Sequence, residues 1–288
     1  MTNYIYETHT EEKYLELFCT HLYSNFGIFT NDSHKPLLLQ KLKKLMREAN
    51  IESLAEYYHN ILSPPITQGQ KDMINKFIDT ITVHKTNFFR EMSHYTYIRN
   101  NIGKILQNSS VNMTKEIRIW SAACSTGEEP YTLAMTLKEC LPKDYTAKIL
   151  ATDISPKVLQ SAMQGEYTFS IEDNLSQEQM HRYFTKKENN KWVICDEIKS
   201  SVTFRLFNLM SPFPFKKPFD IIFCKNVMIY FDKKVQEVLV NKFYNSLSEN
   251  GLLFIGHSES LMQLKHNYKY AQPTIYQKPG IKEGSLCR

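Results

Sequence analysis

Acidic and amide side chains follow the ends of several short apolar runs in this chain of 288 residues. Glu129 opens a helical stretch after the small-residue segment Ser121–Gly127, and Asp153 ends the run KILATD. Asn208 follows VTFRLF, and Asn226 follows DIIFC. In an open parallel α/β sheet, ligands bind in the crevice beyond the carboxyl ends of the strands. We therefore expect these side chains to line one crevice, although each asparagine taken singly is more often a turn residue.

The residue types at this crevice indicate a class of ligand. Neither the dinucleotide fingerprint G-x-G-x-x-G nor the phosphate-binding GK[ST] occurs there, and two carboxylates, Glu128 and Glu129, stand at the helix start. A ligand with hydrogen-bond donors or positive charge fits better. S-adenosylmethionine has an ammonium, a sulfonium and ribose hydroxyls but no phosphate. Asp153, 26 residues after Gly127, is placed to accept both ribose hydroxyls.

These acids also have purely structural explanations. Glu128 and Glu129 can complement the dipole at a helix start, and Asp153 can cap the helix that opens at Ser155-Pro156. Cofactor binding is favoured because two neighbouring predicted strands both end in the expected group.

Helices alone are predicted for the first eighty-odd residues. Apolar residues recur there at helical spacing in four stretches, and Gly27 and Pro64-Pro65 end two of them. The stretches lie at about Leu15–Phe26, Pro36–Ala49, Ile51–Leu62 and Gln70–Thr82. We predict an all-helical N-terminal domain over residues 1–83.

From Ile117 onward, short apolar runs alternate with helical stretches. The runs are IRIW, KILAT, DIIFC and GLLFIG, and the helices are Pro130–Cys140, Pro156–Gln164 and Lys233–Leu247. This alternation predicts an α/β domain, residues 84–288, with a parallel sheet covered on both faces. Residues 165–206 interrupt it with a helix, Ser176–Phe184, and two strand-like runs, KWVIC and VTFRLF. We interpret them as a small inserted β subdomain.

Bulk composition narrows the class of protein. No apolar run approaches the ~20 residues that cross a bilayer, and the N-terminus has no apolar signal segment, which predicts a cytoplasmic protein without membrane insertion. Six scattered cysteines without a C-x-x-C pair predict reduced thiols and no metal site. The net charge of +5 suits an acidic partner, nucleic acid included, and decides nothing alone.

Five segments together resemble the chemotaxis receptor glutamate methyltransferases, the CheR family. They are HKTNFFRE, WSAACSTGEEPYTLAM, ATDIS, FDIIFCKNVMIYFD and GLLFIGHSESL, in the family's order and at its spacing, and the likeness extends over about residues 10–277. The resemblance implies a helical N-terminal domain, a Rossmann-like class I methyltransferase domain and a small β subdomain. It also implies methyl transfer from S-adenosylmethionine to receptor glutamates, with S-adenosylhomocysteine as the product.

The resemblance implies roles for single residues as well. Carried over by position, the residues that line the cofactor site are Thr86, Arg90, Glu129, Asp153, Asn208, Leu209, Lys225 and Asn226. Tyr230 and Arg90 are expected beside the transferred methyl group, as the catalytic residues. Three basic residues on the second helix correspond to positions that meet the receptors' acidic methylation helices, with a merely solvated helix face as the alternative: Lys41, Lys44 and Arg47.

The implied reaction does not require a general base from the protein. A glutamate carboxylate, with a reference pKa of ~4.3, is already ionised at neutral pH. The alternatives are a nucleic-acid methyltransferase, which usually carries N/D-P-P-Y/F where this chain has KNVM, and a docking protein without turnover. We expect the cytoplasmic helical region of chemotaxis receptors as the partner, no nucleic acid, and a monomer.

Two positions depart from the family's pattern. His84 stands where the family often has asparagine, and we predict a partly buried, non-catalytic histidine. The segment from Lys186 to Lys191 is about three residues shorter than in members that grip a receptor's C-terminal pentapeptide, and it lacks their glycines.

We therefore predict that this protein does not need the pentapeptide tether. A receptor-tail pentapeptide titrated into the protein should give no binding heat. Micromolar affinity in that calorimetric titration would contradict the prediction.

Overall fold

A computed structural model describes residues 2–64, 66–170 and 173–280, in two compact units. One unit combines Met1–Val83 with Tyr230–Asp232, and the other combines His84–Ile229 with Lys233–Arg288. In the part of the chain so described, none of the helices has the length and apolar character that a bilayer crossing requires. Cys287, one of the cysteines discussed above, lies outside the described residues.

The first unit is built from helices that begin and end at recognisable signals. Gly27, with φ of 70°, follows the first helix, Ser53 caps the third, and Thr67 and Gln70 form a reciprocal capping box on the fourth. The apolar faces meet around fully buried Phe18. The helices are α1 (Thr2–Phe26), α2 (Lys35–Glu48), α3 (Leu54–Leu62) and α4 (Gln68–Ile81).

The second unit alternates strands and helices, as the apolar runs predict. Its helices are α5 (Ser93–Leu106), α6 (Ser109–Thr114), α7 (Glu128–Cys140), α8 (Pro156–Gln164), α9 (Gln177–Tyr183), α10 (Asp196–Lys199) and α11 (Lys233–Ser246). Its strands are β1 (Glu116–Ala122), β2 (Thr146–Asp153), β3 (Glu166–Tyr167), β4 (Phe184–Lys186), β5 (Trp192–Ile194), β6 (Val202–Leu206), β7 (Phe219–Cys224), β8 (Leu247–Ile255), β9 (Lys269–Gln272) and β10 (Ile275–Gln277).

The central sheet, as far as the described residues show it, has seven strands in the order β6-β2-β1-β7-β8-β10-β9. The first five are parallel, and β10 is antiparallel to both of its neighbours. Helices α7 and α8 pack on β2 and β6, and α11 packs on β8. The predicted fold class, a Rossmann-like α/β domain with a small antiparallel sheet, preceded by a helical region, is confirmed.

One strand of the predicted insertion belongs to the central sheet instead. Val202–Leu206 pairs in parallel with β2, from Ile149 opposite Val202 to Asp153 opposite Leu206. The small sheet consists of β3, β5 and β4, so the prediction that VTFRLF lies in the insertion was wrong. A strand that follows the insertion and rejoins the central sheet has the same local sequence pattern as a strand within the insertion. Only the strand with which it pairs distinguishes the two cases.

Helix α5 and the antiparallel pair of β9 and β10 were not predicted. The α5 sequence, SHYTYIRNNIGKIL, contains glycine, asparagines and β-branched residues that weaken helical propensity. Burial of His94, Tyr95, Ile98 and Ile105 stabilises the helix through packing, which outweighs that weak local preference.

Gly127 has no side chain, which allows α7 to begin close to α8. Its φ is 97°, and a Cβ atom there would lie 2.9 Å from the Cβ of Ala162 and 3.0 Å from the hydroxyl oxygen of Tyr167. That hydroxyl donates a hydrogen bond to the carbonyl of Thr126 at 2.8 Å. A residue with a side chain would be strained at this φ. Its Cβ atom would also force α8 or the loop to move.

Gly127→Ala should therefore lower the free energy of unfolding by roughly 1–3 kcal/mol through overpacking alone. Urea unfolding followed by circular dichroism measures this loss. The matched control is Gly103→Ala in α5, where a Cβ meets no atom within 4 Å and the alanine should be neutral or mildly stabilising. Equal stability of the two variants would contradict the prediction.

Candidate functional site

The carboxyl ends of the five parallel strands lie at one aligned edge of the sheet. Ala122 of β1 is opposite Thr152 of β2 and Cys224 of β7, and Cys224 is opposite Ile255 of β8. Asp153 of β2 is opposite Leu206 of β6. Asp153 is the last residue of β2, and the segments that follow the other strands carry Asn208, the loop 123–127, Lys225-Asn226 and Gly256–Glu259. The structure thus brings most of the predicted cofactor residues to one edge.

The loop after β1 is a tight turn. Ala123 and Ser125 have φ values of 64° and 51°, and the N–H of Cys124 donates to the carbonyl of Thr152 at 2.9 Å. The loop is thereby tied to the neighbouring strand. Both left-handed residues have small side chains, which add little bulk at this turn.

Asp153 is buried and oriented by backbone donors. Its Oδ2 accepts from the N–H of Ser125 at 2.8 Å, and its Oδ1 accepts from the N–H of Ser155 at 3.0 Å. Burial raises the pKa of this carboxyl, and backbone N–H groups, first those of Ser155 and Ser125, oppose that rise. A carboxylate has about four lone-pair sites, so acceptor capacity remains on both oxygens for a pair of hydroxyl groups.

The two glutamates at the start of α7 differ in their contacts. Glu128 accepts from the hydroxyl of Thr126 at 2.6 Å, and burial raises its pKa. Glu129 accepts from the hydroxyl of Ser121 at 2.7 Å and lies 3.3 Å from the ammonium nitrogen of Lys225. Glu129 is therefore part of the charged groups at the strand ends, whereas Glu128 mainly completes the local turn.

Lys225 is a buried cation with two acidic partners. Its side chain is 2% exposed, and its Nζ lies 3.4 Å from Oε2 of Glu91 in addition to the contact with Glu129. It also donates to the carbonyl oxygen of Arg90 at 3.0 Å. Burial by itself would raise the pKa of Glu91, but Lys225, together with the N–H of His257, holds that pKa below its usual range. Lys225 thus joins β7, α7 and the segment before α5.

His94 is fixed as a neutral imidazole. The hydroxyl of Thr274 donates to the carbonyl of Pro273 at 2.6 Å, so its oxygen accepts from Nε2–H of His94 at 2.7 Å. Burial, with a further contribution from Lys225, lowers the pKa of His94 to about 3. A buried imidazole with this pKa is a poor general base at neutral pH.

Glu91, His94 and His257 offer ligand atoms that all lie within 4.8 Å of one another. Such a grouping can hold a metal ion, but the ammonium of Lys225 already neutralises the Oε2 atom of Glu91. A divalent ion would stand beside that ammonium and be repelled by it. We interpret the group as an ion-pair and hydrogen-bond network.

The segment after β6 is held by a lysine of α11. Lys242 Nζ donates to three successive carbonyl oxygens, those of Leu209, Met210 and Ser211, at 2.9, 3.2 and 2.7 Å. Oδ1 of Asn208 accepts from the N–H of Met210 at 2.9 Å. Asn208 and Leu209, two of the residues predicted to line the cofactor site, therefore lie in a braced turn.

The segment that precedes α5 contributes at the same edge. Ser125 Oγ donates to the carbonyl of His84 at 2.9 Å, and the half-buried His84 lowers the pKa of Asp153 through its charge. His84 is thus partly buried beside Asp153. Thr86 is also half-buried, and Arg90 donates from Nη1 to the carbonyl of Lys85 at 3.0 Å.

Four predicted residues belong to the other unit. Tyr230 accepts at its carbonyl from the N–H of Phe29 at 2.9 Å, and the position of its hydroxyl beside the methyl group stays a prediction. Lys41 Nζ donates to the carbonyl of Ile81 at 3.1 Å, and burial lowers its pKa. Lys44 and Arg47 are exposed. The outward basic surface of α2 therefore rests more on Lys44 and Arg47 than on Lys41.

Sequence reasoning missed two acids at the edge, the half-buried Glu91 and the buried Glu259. Both stand inside quoted segments, FFRE and GHSES, but their partners lie far away along the chain. Glu259 accepts from backbone N–H groups of Asn226, Met228 and Gly256. An acidic residue three positions after a strand-ending glycine is the local signal that could have drawn attention to it.

The residues at this edge fit S-adenosylmethionine by their chemistry. Asp153 has lone-pair sites beyond those that its backbone donors use, and Glu128 and Glu129 at the start of α7 would repel a phosphate. When bound, this cofactor supplies an electrophilic methyl group on a sulfonium. The site residues bind and orient it.

Comparison with known proteins agrees with this reading. Residues 84–277 match the model of the CheR methyltransferase SAM-binding domain, and residues 13–82 match that of the CheR methyltransferase all-alpha domain. A chemotaxis protein methyltransferase of Borreliella burgdorferi is 40% identical over 89% of this chain and 91% of its own. That of Escherichia coli K12 is 33% identical over 88% of this chain and 87% of its own. The chain thus belongs to the CheR family of chemotaxis methyltransferases, whose catalytic domain binds S-adenosylmethionine.

Proposed function

We propose that this protein transfers the methyl group of S-adenosylmethionine to glutamate side chains in the cytoplasmic helical region of chemotaxis receptors, forming methyl esters. The relatives it matches are chemotaxis protein methyltransferases, and the receptors are the proteins that such an enzyme would modify. We propose that it acts in the cytoplasm, as a monomer and without nucleic acid as a substrate.

One observation favours a carboxylate as the nucleophile. Substrates such as amines or hydroxyls must lose a proton, and a catalytic base usually accepts it. Among the described residues at the edge, burial lowers the pKa of His94 to about 3, and Glu91 and Glu129 are paired with Lys225. Asp153 and Glu259 are engaged by backbone N–H groups. A glutamate substrate needs no such base, because it is already ionised at neutral pH.

The reaction joins an anion to a sulfonium cation and removes both charges. Water stabilises the separated charges, so exclusion of water and alignment of the two groups should supply most of the rate enhancement. The attacking oxygen must approach to ~3 Å from the methyl carbon, opposite the sulfur. We propose that Arg90 orients a carboxylate through its guanidinium and that the Tyr230 hydroxyl hydrogen-bonds an oxygen of the substrate glutamate.

The assay that tests this function uses methyl-labelled S-adenosylmethionine with receptor-rich membranes. We expect label on the receptors that mild base releases as volatile methanol, because carboxyl methyl esters hydrolyse readily. Base-stable label on nucleic acid would contradict the proposal, and so would receptor binding without transfer.

Two variants test the proposed catalytic residues in the same assay. At saturating cofactor, Arg90→Ala should slow transfer on the order of 100-fold if it aligns the reacting groups, and Tyr230→Phe should slow it about tenfold. Near-normal rates in both variants would remove these residues from the catalytic list while leaving the reaction itself in place.

We further propose that α2 meets the acidic methylation helices of the receptor. Lys44 has a side chain that is 67% exposed and lies 4.0 Å from Glu48, and Arg47 is exposed one turn further along. These charges are available to steer an acidic partner, and the attraction should weaken with salt. Lys41 is held by the carbonyl of Ile81 and is better left unchanged in a test.

The double reversal Lys44→Glu and Arg47→Glu should raise KM for receptor at least about threefold at low ionic strength. Cofactor affinity should stay unchanged. The matched control is Lys143→Glu with Lys265→Glu, two exposed lysines of the other unit. If both pairs alter receptor kinetics equally, net charge rather than the α2 surface is responsible.

A further inference from the structure

A buried carboxylate after β8 holds the segment that follows β7. Glu259 is 8% exposed. Its Oε2 accepts from the N–H groups of Asn226 at 3.0 Å and Gly256 at 2.6 Å, and its Oε1 accepts from the N–H of Met228 at 2.8 Å. One side chain therefore connects the carboxyl ends of two adjacent parallel strands.

The backbone at this point turns sharply after β7. Asn226 has φ of 60°, in the left-handed region that asparagine adopts more readily than most side chains. Gly256 permits the close approach, since a Cβ there would lie 2.5 Å from Nδ2 of Asn226 and 2.9 Å from its backbone nitrogen. The converging N–H groups form a small concave donor site that the Glu259 carboxylate fills.

A second acid orients the side chain of the same asparagine. Nδ2 of Asn226 lies 3.4 Å from Oε1 of Glu91, which also accepts from the N–H of His257 at 2.9 Å. The amide nitrogen is therefore directed toward Glu91, and the carbonyl oxygen of Asn226 faces away from it as an acceptor. Glu91 also contacts Lys225. Asn226 is therefore held by Glu259 and Glu91, and Lys225 is held by Glu91 and Glu129.

Three backbone donors, and not the charge itself, argue against a neutral substitute at Glu259. Burial raises the pKa of Glu259, three N–H groups oppose the rise, and Glu91 adds like-charge repulsion. A glutamine has one acceptor oxygen and an NH₂ group that is a donor. In either orientation, at least one of the three backbone N–H groups would then face a donor.

We propose that Glu259 is a positioning residue of the cofactor site: it holds the backbone of Asn226, and through it the adjoining Lys225, in the geometry that binds S-adenosylmethionine. The inference rests on the cofactor-binding roles proposed for those two residues and is independent of the identity of the methyl acceptor. It distinguishes Glu259 from a residue that merely stabilises the sheet.

The test compares Glu259→Gln with Asp220→Ala by calorimetric titration of S-adenosylhomocysteine. Asp220 lies at the opposite end of β7, is 3% exposed, and accepts from the N–H of Arg118 and the hydroxyl of Ser248, each at 2.9 Å. We expect Glu259→Gln to raise the dissociation constant at least about tenfold, and Asp220→Ala to change it by less than about twofold. Thermal unfolding of both variants shows whether lost stability accounts for the difference.

A second variant keeps the carboxylate and moves its partner. Gly256→Ala places a Cβ against Asn226 and should also weaken S-adenosylhomocysteine binding, so it decides the question if Glu259→Gln does not fold. A folded Glu259→Gln protein with wild-type affinity would overturn the proposal. An equal loss of S-adenosylhomocysteine affinity in Asp220→Ala would overturn it too. If Glu259→Gln does not fold, wild-type affinity in Gly256→Ala would overturn the proposal instead. Receptor methylation by the wild-type protein is measured separately. If receptors are not methylated, the titrations with S-adenosylhomocysteine still test the role of Glu259.

Discussion

The buried ammonium of Lys225 is the interaction on which the site depends. Taking one lysine and two carboxylates out of water costs free energy, which their mutual attraction and further hydrogen bonds must offset. Glu91 and Glu129 lie at 3.4 and 3.3 Å, the carbonyl of Arg90 accepts at 3.0 Å, and the rings of Tyr95 and Phe223 lie beneath the ammonium. Removing the lysine would take that cation away from two acids whose side chains are only 9% and 13% exposed. The network therefore fixes β7, α7 and the segment before α5 as one arrangement.

The features predicted well from the sequence are those with a local pattern. Strand ends, helix starts and the acids that directly follow them were located because apolar runs and capping residues are read within a few positions. The edge residues Asp153, Glu129 and Asn208 follow from this. The assignment of VTFRLF to the insertion failed because strand pairing with β2 is not encoded in that segment alone.

The acids that brace the site were missed for a related reason. Glu259 bonds to Asn226 across 33 positions of sequence, and Glu91 reaches the same residue across 135. Nothing in the neighbours of either acid indicates its partner. Burial makes these acids informative, because a carboxylate that is kept away from water must find donors, and here the donors are the main-chain N–H groups that shape the cofactor edge.

Two cysteines at the same edge illustrate what burial does to reactivity. Cys124 lies in the loop after β1 and Cys224 ends β7, and both side chains are almost wholly enclosed. Burial, with nearby carboxylates, raises the pKa of each thiol well above its ordinary value. Thiolates are the species that alkylating agents and peroxides attack. We therefore expect the sulfur atoms at this edge of the sheet to react slowly, and oxidation should fall first on this protein's more accessible cysteines.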